Sequence, residues 1–585
     1  MLDGKEFQIL SGAMHYFRIH PGYWHDRLTK LKQCGMNTVE TYIAWVCHEE
    51  DEGTFAMDEN HDFVKFIRIA QESGLHVIVR PGPYICSEVD LGGIPGWLLG
   101  KQGVRLRCLN EVYLKYADRY LDWVLGKLKK LQYPDGGPVI MMQIENEYGY
   151  YGNDREYMEH LCDRFLKNGI SVPLFTSDGP GEIELKRGSV PGAVVTGNSK
   201  DCSEEQIRNM LAHQPEGPVV FMEIHQGAIQ CWGSERQHNN PEKVRKVIGR
   251  LLKMKASINP YTFHGGTSFG FLAGGCFREN HYRPFCTSYD LDSALDETGA
   301  PTPKYFMFQE EIGRSSEKPA VHPRKAYGRI HLTRTVSLLE ALPKMGIRHE
   351  EHLPRTMEEY GQTFGFIDYR IRLDGWKCAS LELEGLQDRA IVLVNGVCAG
   401  SLWRNDVKFN AHLPGILWLQ SPGDEFQVDI FVENMGRRIF GTAMNNELKG
   451  LKNIRVSGGE YCNLEVFRLP LKNGDIRKLE FSTGGIPTGQ PAFYQGDFDI
   501  GEEPCDTFLH VPGGRGVCWI NDFNLGRYWN IGPQQTLYVP APVLRKGRNT
   551  LTVFELHGIP SRSVFFDDIH ELGPAVSEQF YSGGE

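Results

Sequence analysis

The first half of the chain alternates short apolar runs with stretches in which apolar residues recur every three or four positions. The runs are typical of buried strands, and the longer period is typical of amphipathic helices. The runs cover residues 7–10, 38–44, 77–79, 139–144, 172–175, 193–195, 219–224 and 258–263. Eight strands that alternate with helices predict a (β/α)₈ TIM barrel, and we place it over residues 1–320.

Capping signals mark where several helices begin. Asn110 and Asn153 stand before amphipathic stretches, and Asn240 precedes Pro241, which suits the first position of a helix. A doubly wound sheet is the competing architecture. No glycine-rich phosphate-binding turn follows the first predicted strand, which disfavours that alternative.

After about residue 320 the pattern changes to short runs of alternating polarity that are separated by Gly, Pro, Asn and Asp. This pattern is typical of β-sandwiches. We predict two all-β sandwich domains, one over residues 321–465 and one over residues 466–585. Together with the barrel they make a multidomain protein.

Composition limits the classes of binding partner and indicates the cellular compartment. The formal net charge of −11 is spread along the chain, which argues against nucleic acid or an anionic membrane as the main partner. The N-terminal segment MLDGKEFQIL has no secretory features, so we expect a cytoplasmic location, with a trimmed signal peptide as the alternative. The 14 cysteines form no C-x-x-C pair, which favours buried thiols in a reducing compartment.

Carboxylates close two of the most apolar predicted strands. Glu145 and Glu147 end the fourth strand in PVIMMQIENEYG, and Glu223 ends the seventh in PVVFMEI. Barrel active sites form at this end of the strands, and cleavage of a glycosidic bond needs two carboxyl groups. Glu145 and Glu147 face the same way in a strand, so their spacing does not choose between them. A structural ion pair with Arg80 is the alternative for Glu223.

Other motifs indicate no further chemistry. Residues 266–270 match G-x-S-x-G, but a serine nucleophile needs a strand–turn–helix context with an acid and a His following in order. His15 and His20 lack a matching acidic ligand set. We therefore expect no metal and no cofactor, and a small oligosaccharide or glycan as the partner. These patterns do not decide whether the protein forms a homo-oligomer.

The chain resembles the glycoside hydrolase family 35 β-galactosidases along almost its whole length. The resemblance is carried by LSGAMHYFRIHPGYWHDRL (10–28), GMNTVETYIAWVCHEEDEGTF (35–55), VRPGPYICSEVDLGGIPGWLL (79–99), QIENEYG (143–149), YTFHGGTSFGF (261–271), TSYDLDSALDETG (287–299) and LYVPAPVLRKGRNTLTVFEL (537–556). It implies a retaining mechanism with Glu147 as acid/base and Glu223 as nucleophile. It also implies a galactose-binding-like jelly roll for residues 466–585. The implied sugar contacts are Tyr42, Ser87, Glu88, Asn146, Tyr261 and Tyr289.

The chain departs from the family pattern around the nucleophile. Glu223 is followed by IHQGA (224–228), where family members carry aromatic residues. Further departures, each at a position where the family has a different residue, are Ala44, Val46, Val89, Ser268 and Leu291. Lost aromatic residues remove stacking surface for a sugar ring.

Three functions follow from these observations. The first is an exo-acting β-galactosidase that releases a terminal non-reducing sugar. The second keeps the mechanism but acts on a β-glucoside or β-glucosaminide, or transfers the sugar to an acceptor other than water. The third is a catalytically inactive barrel that binds carbohydrate. Retention of both Glu147 and Glu223 disfavours the third.

Overall fold

The computed structural model describes residues 2–278, 281–404, 416–421, 423–485, 489–573 and 575–577. Its first part is an eight-stranded parallel sheet in which neighbours along the chain are neighbours in the sheet. The strands are β1 Ser11–Ala13, β2 Thr38–Tyr42, β3 His76–Arg80, β4 Val139–Gln143, β5 Leu174–Asp178, β6 Val194–Ser199, β7 Val220–His225 and β8 Ser257–Tyr261.

The sheet closes into a barrel. Leu10 bridges Ile258 in parallel, and the amide of Phe263 donates to the carbonyl of Ala13. The predicted barrel is thus confirmed. The first strand begins at Ser11 rather than within residues 7–10, because its ladder with β2 starts where Ser11 pairs with Thr38. The apolar run alone does not specify that long-range register.

Helices connect the strands and cover the outside of the barrel. They are α1 Trp24–Gln33, α2 Trp45–His48, α3 Phe63–Glu72, α4 Glu111–Leu128, α5 Tyr148–Tyr151, α6 Arg155–Lys167, α7 Glu182–Gly188, α8 Glu204–His213, α9 Pro241–Lys253 and α10 Pro303–Ile312. A further helix, α11 Leu338–Met345, packs against the sandwich domains. The side chains of Asn110 and Asn240 cap α4 and α9 as predicted. The cap of α6 is Asp154 rather than Asn153, because it is the Asp154 carboxylate that accepts from the third helical amide.

The first sandwich packs two antiparallel sheets around one core. In hydrogen-bonding order the larger sheet contains Ile347–Glu351, Leu464–Leu469, Phe366–Arg372, Gln427–Glu433, Arg389–Val394 and Val397–Trp403. The smaller sheet contains Ile416–Gln420, Cys378–Glu384, Asn453–Val456 and Gly459–Glu460. Alternate residues such as Ile367, Tyr369 and Ile371 enter the core between the two sheets, as a half-buried strand requires.

The second sandwich is built in the same way. Its larger sheet contains Arg334–Ser337, Ala492–Ile500, Gly547–Glu555, Arg515–Ile520 and Phe523–Trp529, and its smaller sheet contains Gly328–His331, Ser563–Asp567, Thr507–His510 and Leu537–Val539. Two of these strands, Gly328–His331 and Arg334–Ser337, fall inside the range 321–465 that the sequence assigned to the first sandwich. Their partners are strands Ser563–Asp567 and Ala492–Ile500, and such long-range pairing leaves no local signal.

The two sandwiches share an aromatic core. The ring of Phe366 on the first sandwich lies 5.1 Å from that of Phe431 and 5.4 Å from that of Phe554 on the second. Two short ribbons complete the fold: Gly275–Arg278 pairs with His281–Pro284, and Arg236–His238 pairs with Ala575–Ser577.

Arg437 joins the first sandwich to the barrel beside the strand ends. Its buried guanidinium lies 2.6 Å from Asp90, in the loop after β3, and 2.5 Å from Glu358 of the sandwich. Removing one partner of a buried ion pair costs about 3–5 kcal/mol, so this contact fixes the segment after Arg437 over the barrel mouth.

No helix in the described ranges has the length and apolarity of a membrane span. The 14 cysteines are free thiols. The expected cytoplasmic location and the oligomeric state stay predictions.

Candidate active site

Polar side chains converge at the carboxyl ends of the barrel strands. Tyr42 ends β2, Arg80 ends β3, and Tyr261 ends β8. Glu223 lies near the end of β7, and Glu147 follows β4. Glu147, Glu223 and Tyr261 line one cavity of 570 Å³, and Tyr42 and Arg80 lie directly behind Glu223.

Glu223 is held as a carboxylate. Its Oε1 accepts a hydrogen bond of 2.6 Å from the Tyr42 hydroxyl and lies 2.7 Å from Nη1 of Arg80. Its Oε2 lies 3.1 Å from Nε2 of His225. Burial alone would raise the pKa of Glu223, but Arg80, His225 and Tyr42 outweigh burial and lower the pKa to about 2.

Glu147 has the opposite electrostatics. Burial raises the pKa of Glu147 to about 7, and the nearby charge of Glu223 adds to the effect. The amide of Asn198 donates a hydrogen bond of 3.1 Å from Nδ2 to Oε1 of Glu147. Glu147 is therefore available as a proton donor near neutral pH, while Glu223 stays charged.

Glu145 and Glu147 have different surroundings in the structure. Arg107 donates two hydrogen bonds of 2.8 Å to the carboxylate of Glu145, and the Tyr157 hydroxyl donates a third of 3.1 Å. Glu145 is buried in this network, whereas Glu147 lines the cavity. Both residues adopt left-handed backbone angles after β4, so the ideal strand geometry that left the choice open does not apply to them.

A strained loop after β3 carries Ser87 and Glu88. Cys86, Ser87 and Glu88 have φ angles of 57°, 52° and 53°, which are unfavourable for residues other than glycine. Such strain costs about 1–3 kcal/mol per residue and is found where surrounding contacts enforce it. Here Arg18 enforces it: Nη1 donates to the Ser87 hydroxyl over 2.9 Å, and the guanidinium lies 3.7 Å from the centre of the Tyr289 ring.

Hydroxyl groups connect the loop to β8. Tyr289 donates to Oε2 of Glu88, and the hydroxyls of Tyr261 and Tyr289 lie 3.1 Å apart. Tyr261 also donates to Ser87 over 3.0 Å. Burial raises the pKa of Glu88, while the hydrogen bond from Tyr289 and the charge of Arg18 lower it.

The eight residues predicted for the site fall into two groups. Five of them line the cavity: Ser87, Glu88, Glu147, Glu223 and Tyr261. Tyr42, Asn146 and Tyr289 stand behind this lining and hydrogen-bond to it or to each other. Asn146 accepts from Tyr42 over 3.1 Å and from Arg80 over 2.7 Å, so its amide orients the groups that hold Glu223.

Sequence reasoning missed several residues of the cavity. His225 stood out only as a departure from the family pattern, although a residue two positions from Glu223 on a strand faces the same side. Lys200, Arg278, Arg438 and Phe440 also line the cavity, and the last two come from the first sandwich. Ala228 lines the cavity as expected from the missing aromatic residue, whereas Val89 is fully buried and does not. The described residues hold no cluster that could bind a metal ion.

Three family models match the chain. Glycosyl hydrolases family 35 matches residues 1–314, the β-galactosidase first all-beta domain matches residues 354–470, and the β-galactosidase galactose-binding domain matches residues 491–549. The matches fall on the barrel, the first sandwich and the second sandwich.

Curated relatives match over nearly the full length. The chain is 38% identical to β-galactosidase-1-like protein 3 of Rattus norvegicus over 572 residues, which covers 95% of this chain and 88% of the relative. It is 37% identical to β-galactosidase-1-like protein 2 of Homo sapiens, covering 95% and 88%. It is 36% identical to β-galactosidase of Homo sapiens, covering 98% and 90%. The chain therefore belongs to glycosyl hydrolase family 35 and is a glycosidase.

Proposed function

We propose that the chain is an exo-acting, retaining β-galactosidase with Glu223 as nucleophile and Glu147 as acid/base. The observation that carries this proposal is the opposite protonation of two carboxyl groups in one cavity, with pKa values of about 2 and about 7. Retaining glycosidases need this division of labour, because one group attacks while the other donates a proton.

The reaction has two displacements. Glu147 gives its proton to the glycosidic oxygen as Glu223 forms a bond to the anomeric carbon, and the aglycone leaves. Glu147, now a carboxylate, takes a proton from water, and that water breaks the glycosyl–Glu223 bond. Tyr42 and Arg80 both engage Oε1 of Glu223, whereas Oε2 contacts only His225 among the described residues, so we assign the attack to Oε2. We expect the two carboxyl groups to lie about 5–5.5 Å apart in the reacting complex.

Galactose as the released sugar is supported by the relatives, which are named β-galactosidases and β-galactosidase-like proteins. Glu88 suits the role of reading hydroxyl positions, since a buried carboxylate discriminates between hydrogen-bonding patterns more sharply than an apolar wall does. We propose that Glu88, Ser87 and Tyr261 contact the sugar directly, while Tyr42, Asn146 and Tyr289 position them.

Transglycosylation is the second candidate, and the shape of the cavity favours it. Ala228, Ile229, Phe277 and Phe440 give one side of the cavity an apolar lining without the aromatic residue that the family usually has five positions after the nucleophile. An apolar wall binds an acceptor sugar while leaving water few partners. An added acceptor sugar would then lower the yield of free galactose relative to released aglycone.

A panel of nitrophenyl β-glycosides tests the proposal. We expect turnover of the β-galactoside that is weak or restricted by the aglycone, and little turnover of the β-glucoside and β-N-acetylglucosaminide. Turnover confined to the β-glucoside would assign a different sugar. Binding of galactose without turnover of any glycoside would indicate an inactive carbohydrate-binding homologue.

A further inference from the structure

The side of the cavity that receives the leaving group can be located from Glu147. An acid must lie next to the glycosidic oxygen that it protonates, so the aglycone occupies the space beyond Glu147. Two exposed aromatic rings stand near this side: Tyr150 is 51% exposed, Phe440 is 39% exposed, and their centres lie 6.1 Å apart. Rings of this kind stack against the apolar face of a sugar.

Three cationic side chains line the same cavity: Lys200, Arg278 and Arg438. Lys200 follows β6, two residues after the Asn198 that donates to Glu147. Arg278 ends the ribbon strand Gly275–Arg278, and it forms no ion pair with any residue that the structure describes. A cation without an acidic partner in a cleft raises the local concentration of anions.

Arg438 is poorly compensated although an acid lies near it. Its guanidinium lies 3.8 Å from the centre of the Phe277 ring, and its buried Nε has no hydrogen-bond partner among the described residues. The nearest carboxylate, Glu447, lies 3.8 Å from that nitrogen. Glu447 already accepts two hydrogen bonds, of 3.0 and 3.1 Å, from Arg404 and lies 3.3 Å from Lys449. Burial and the charge of Arg404 lower the pKa of Arg438.

The carboxyl groups on the floor of the cavity do not neutralise the two arginines. Glu223 is paired with Arg80, and Glu88 accepts a hydrogen bond from Tyr289 and interacts with the charge of Arg18. Glu147 is largely protonated below its pKa of about 7. The positive charge at the mouth is therefore available to a ligand.

We propose that this mouth is a subsite for an anionic aglycone, meaning a leaving sugar unit that carries a carboxylate or a sulfate. Arg278 and Arg438 are its specificity-determining residues. A guanidinium suits either anion because its planar fork can donate two parallel hydrogen bonds to two oxygens. The proposal rests on the glycosidase function proposed above for the same cavity.

Matched pairs of galactosides test the charge of the aglycone alone. Lactobionate and lactitol differ by a carboxylate in place of a hydroxymethyl group, and lactose sulfated on the 6-hydroxyl of its glucose unit differs from lactose by a sulfate. We expect kcat/KM of the wild-type protein to be at least about tenfold higher for one anionic member than for its neutral partner at low salt, and this preference to shrink as salt is added. The pair that shows the preference identifies the anion.

Substitutions locate the effect. Arg278→Gln and Arg438→Gln should each reduce the preference severalfold, while kcat/KM for lactitol, lactose and nitrophenyl β-galactoside stays within about twofold of wild type. Arg329→Gln is the matched control, since Arg329 stacks on Phe565 in the second sandwich and lies outside the cavity. It should leave the preference unchanged.

Two results would overturn the subsite: no preference for either anionic substrate at low salt, or equal losses on charged and neutral substrates in both variants. Failure of the proposed function can be told apart from failure of the subsite, because a protein without the proposed function would turn over no galactoside. In that case the subsite is tested by binding instead of turnover. Calorimetric titration compares gluconate with sorbitol and glucose 6-sulfate with glucose. Tighter binding of an anion that Arg438→Gln weakens supports the subsite, and equal binding of charged and neutral ligands contradicts it.

Discussion

Nε2 of His225 lies 3.1 Å from Oε2 of Glu223, the oxygen that Arg80 and Tyr42 leave unengaged. The two residues are separated by one position on β7, so the strand presents both to the same cavity. The side chain of His225 is 42% exposed, whereas that of Glu223 is 8% exposed. The imidazole is therefore the more solvent-accessible member of the pair.

Replacing His225 should raise the pKa of the nucleophile. Interaction with His225 lowers the pKa of Glu223, so His225→Phe should move the acid limb of the kcat/KM profile to higher pH. Near neutral pH Glu223 stays charged in both proteins, so the difference between them should lie in the acid limb rather than in kcat/KM at pH 7. A His225→Phe profile that superimposes on the wild-type profile would contradict this role.

The alkaline limb should belong to Glu147. Catalysis needs Glu223 charged and Glu147 protonated, so activity is present between their pKa values and is lost as pH rises through about 7. Measuring kcat/KM for an aryl galactoside from pH 4 to 9 locates this limb. In Glu147→Gln the limb should vanish, because the amide does not titrate, and its persistence would assign the limb to another group.

Leaving groups should separate Glu147 from Glu145. Glu147→Gln should lower the rate by about 10²–10⁴-fold for a poor leaving group and far less for dinitrophenolate, which needs little protonation. Glu145→Gln removes one acceptor of the Arg107 network and should reduce stability, with a loss of activity that does not depend on the leaving group. Equal dependence on the leaving group in both variants would refute the assignment.

Arg80 should matter for folding as well as for chemistry. Its guanidinium is fully buried between Glu223 at 2.7 Å and Glu40 at 3.7 Å. Arg80→Met leaves these two buried carboxylates without a cationic partner and should lower the free energy of unfolding by about 3–5 kcal/mol. The double variant Arg80→Met/Glu223→Gln should recover part of that loss. Urea unfolding of the single and double variants measures the coupling, and additive losses would mean that the pair does not interact.

The same pair makes stability depend on pH. The pKa of Glu223 is lowered from 4.5 to about 2 in the folded protein. A lowered pKa contributes stability that is fully present above 4.5 and is lost as pH falls through about 2. Between pH 5 and pH 2.5, wild-type protein should therefore lose more unfolding free energy than Glu223→Gln.

Much of the fold was predictable because barrel strands are buried on both faces and stand out as apolar runs. The position of Glu223 at the end of such a run was enough to identify it as a candidate. Its ion pair with Arg80, which the sequence offered as an alternative role, is present in the structure, and Glu223 lines the cavity as well. Strand spacing left the choice between Glu145 and Glu147 open, and only the family resemblance selected Glu147. The physical difference depends on Arg107, 38 positions before Glu145.

The residues that form the outer part of the cavity could not be predicted from the sequence, for a different reason. Arg438 and Phe440 lie on the first sandwich and reach the barrel mouth through contacts between distant segments, such as those of Arg437 with Asp90 and of Ile439 with Tyr84. Two strands of the second sandwich, Gly328–His331 and Arg334–Ser337, were likewise assigned to its neighbour. Contacts between distant segments leave no periodicity in the chain.

Trapping the covalent intermediate tests the central claim most directly. A 2-deoxy-2-fluoro-β-galactoside with a dinitrophenolate leaving group forms the glycosyl–enzyme ester quickly and hydrolyses it slowly, because fluorine destabilises the oxocarbenium-like transition state. Peptide mass spectrometry of the treated protein should find one 2-fluorogalactosyl group on Glu223, and none in Glu223→Gln. A label on another carboxylate, or no label together with α-galactose as the first product from an ordinary galactoside, would contradict double displacement through Glu223.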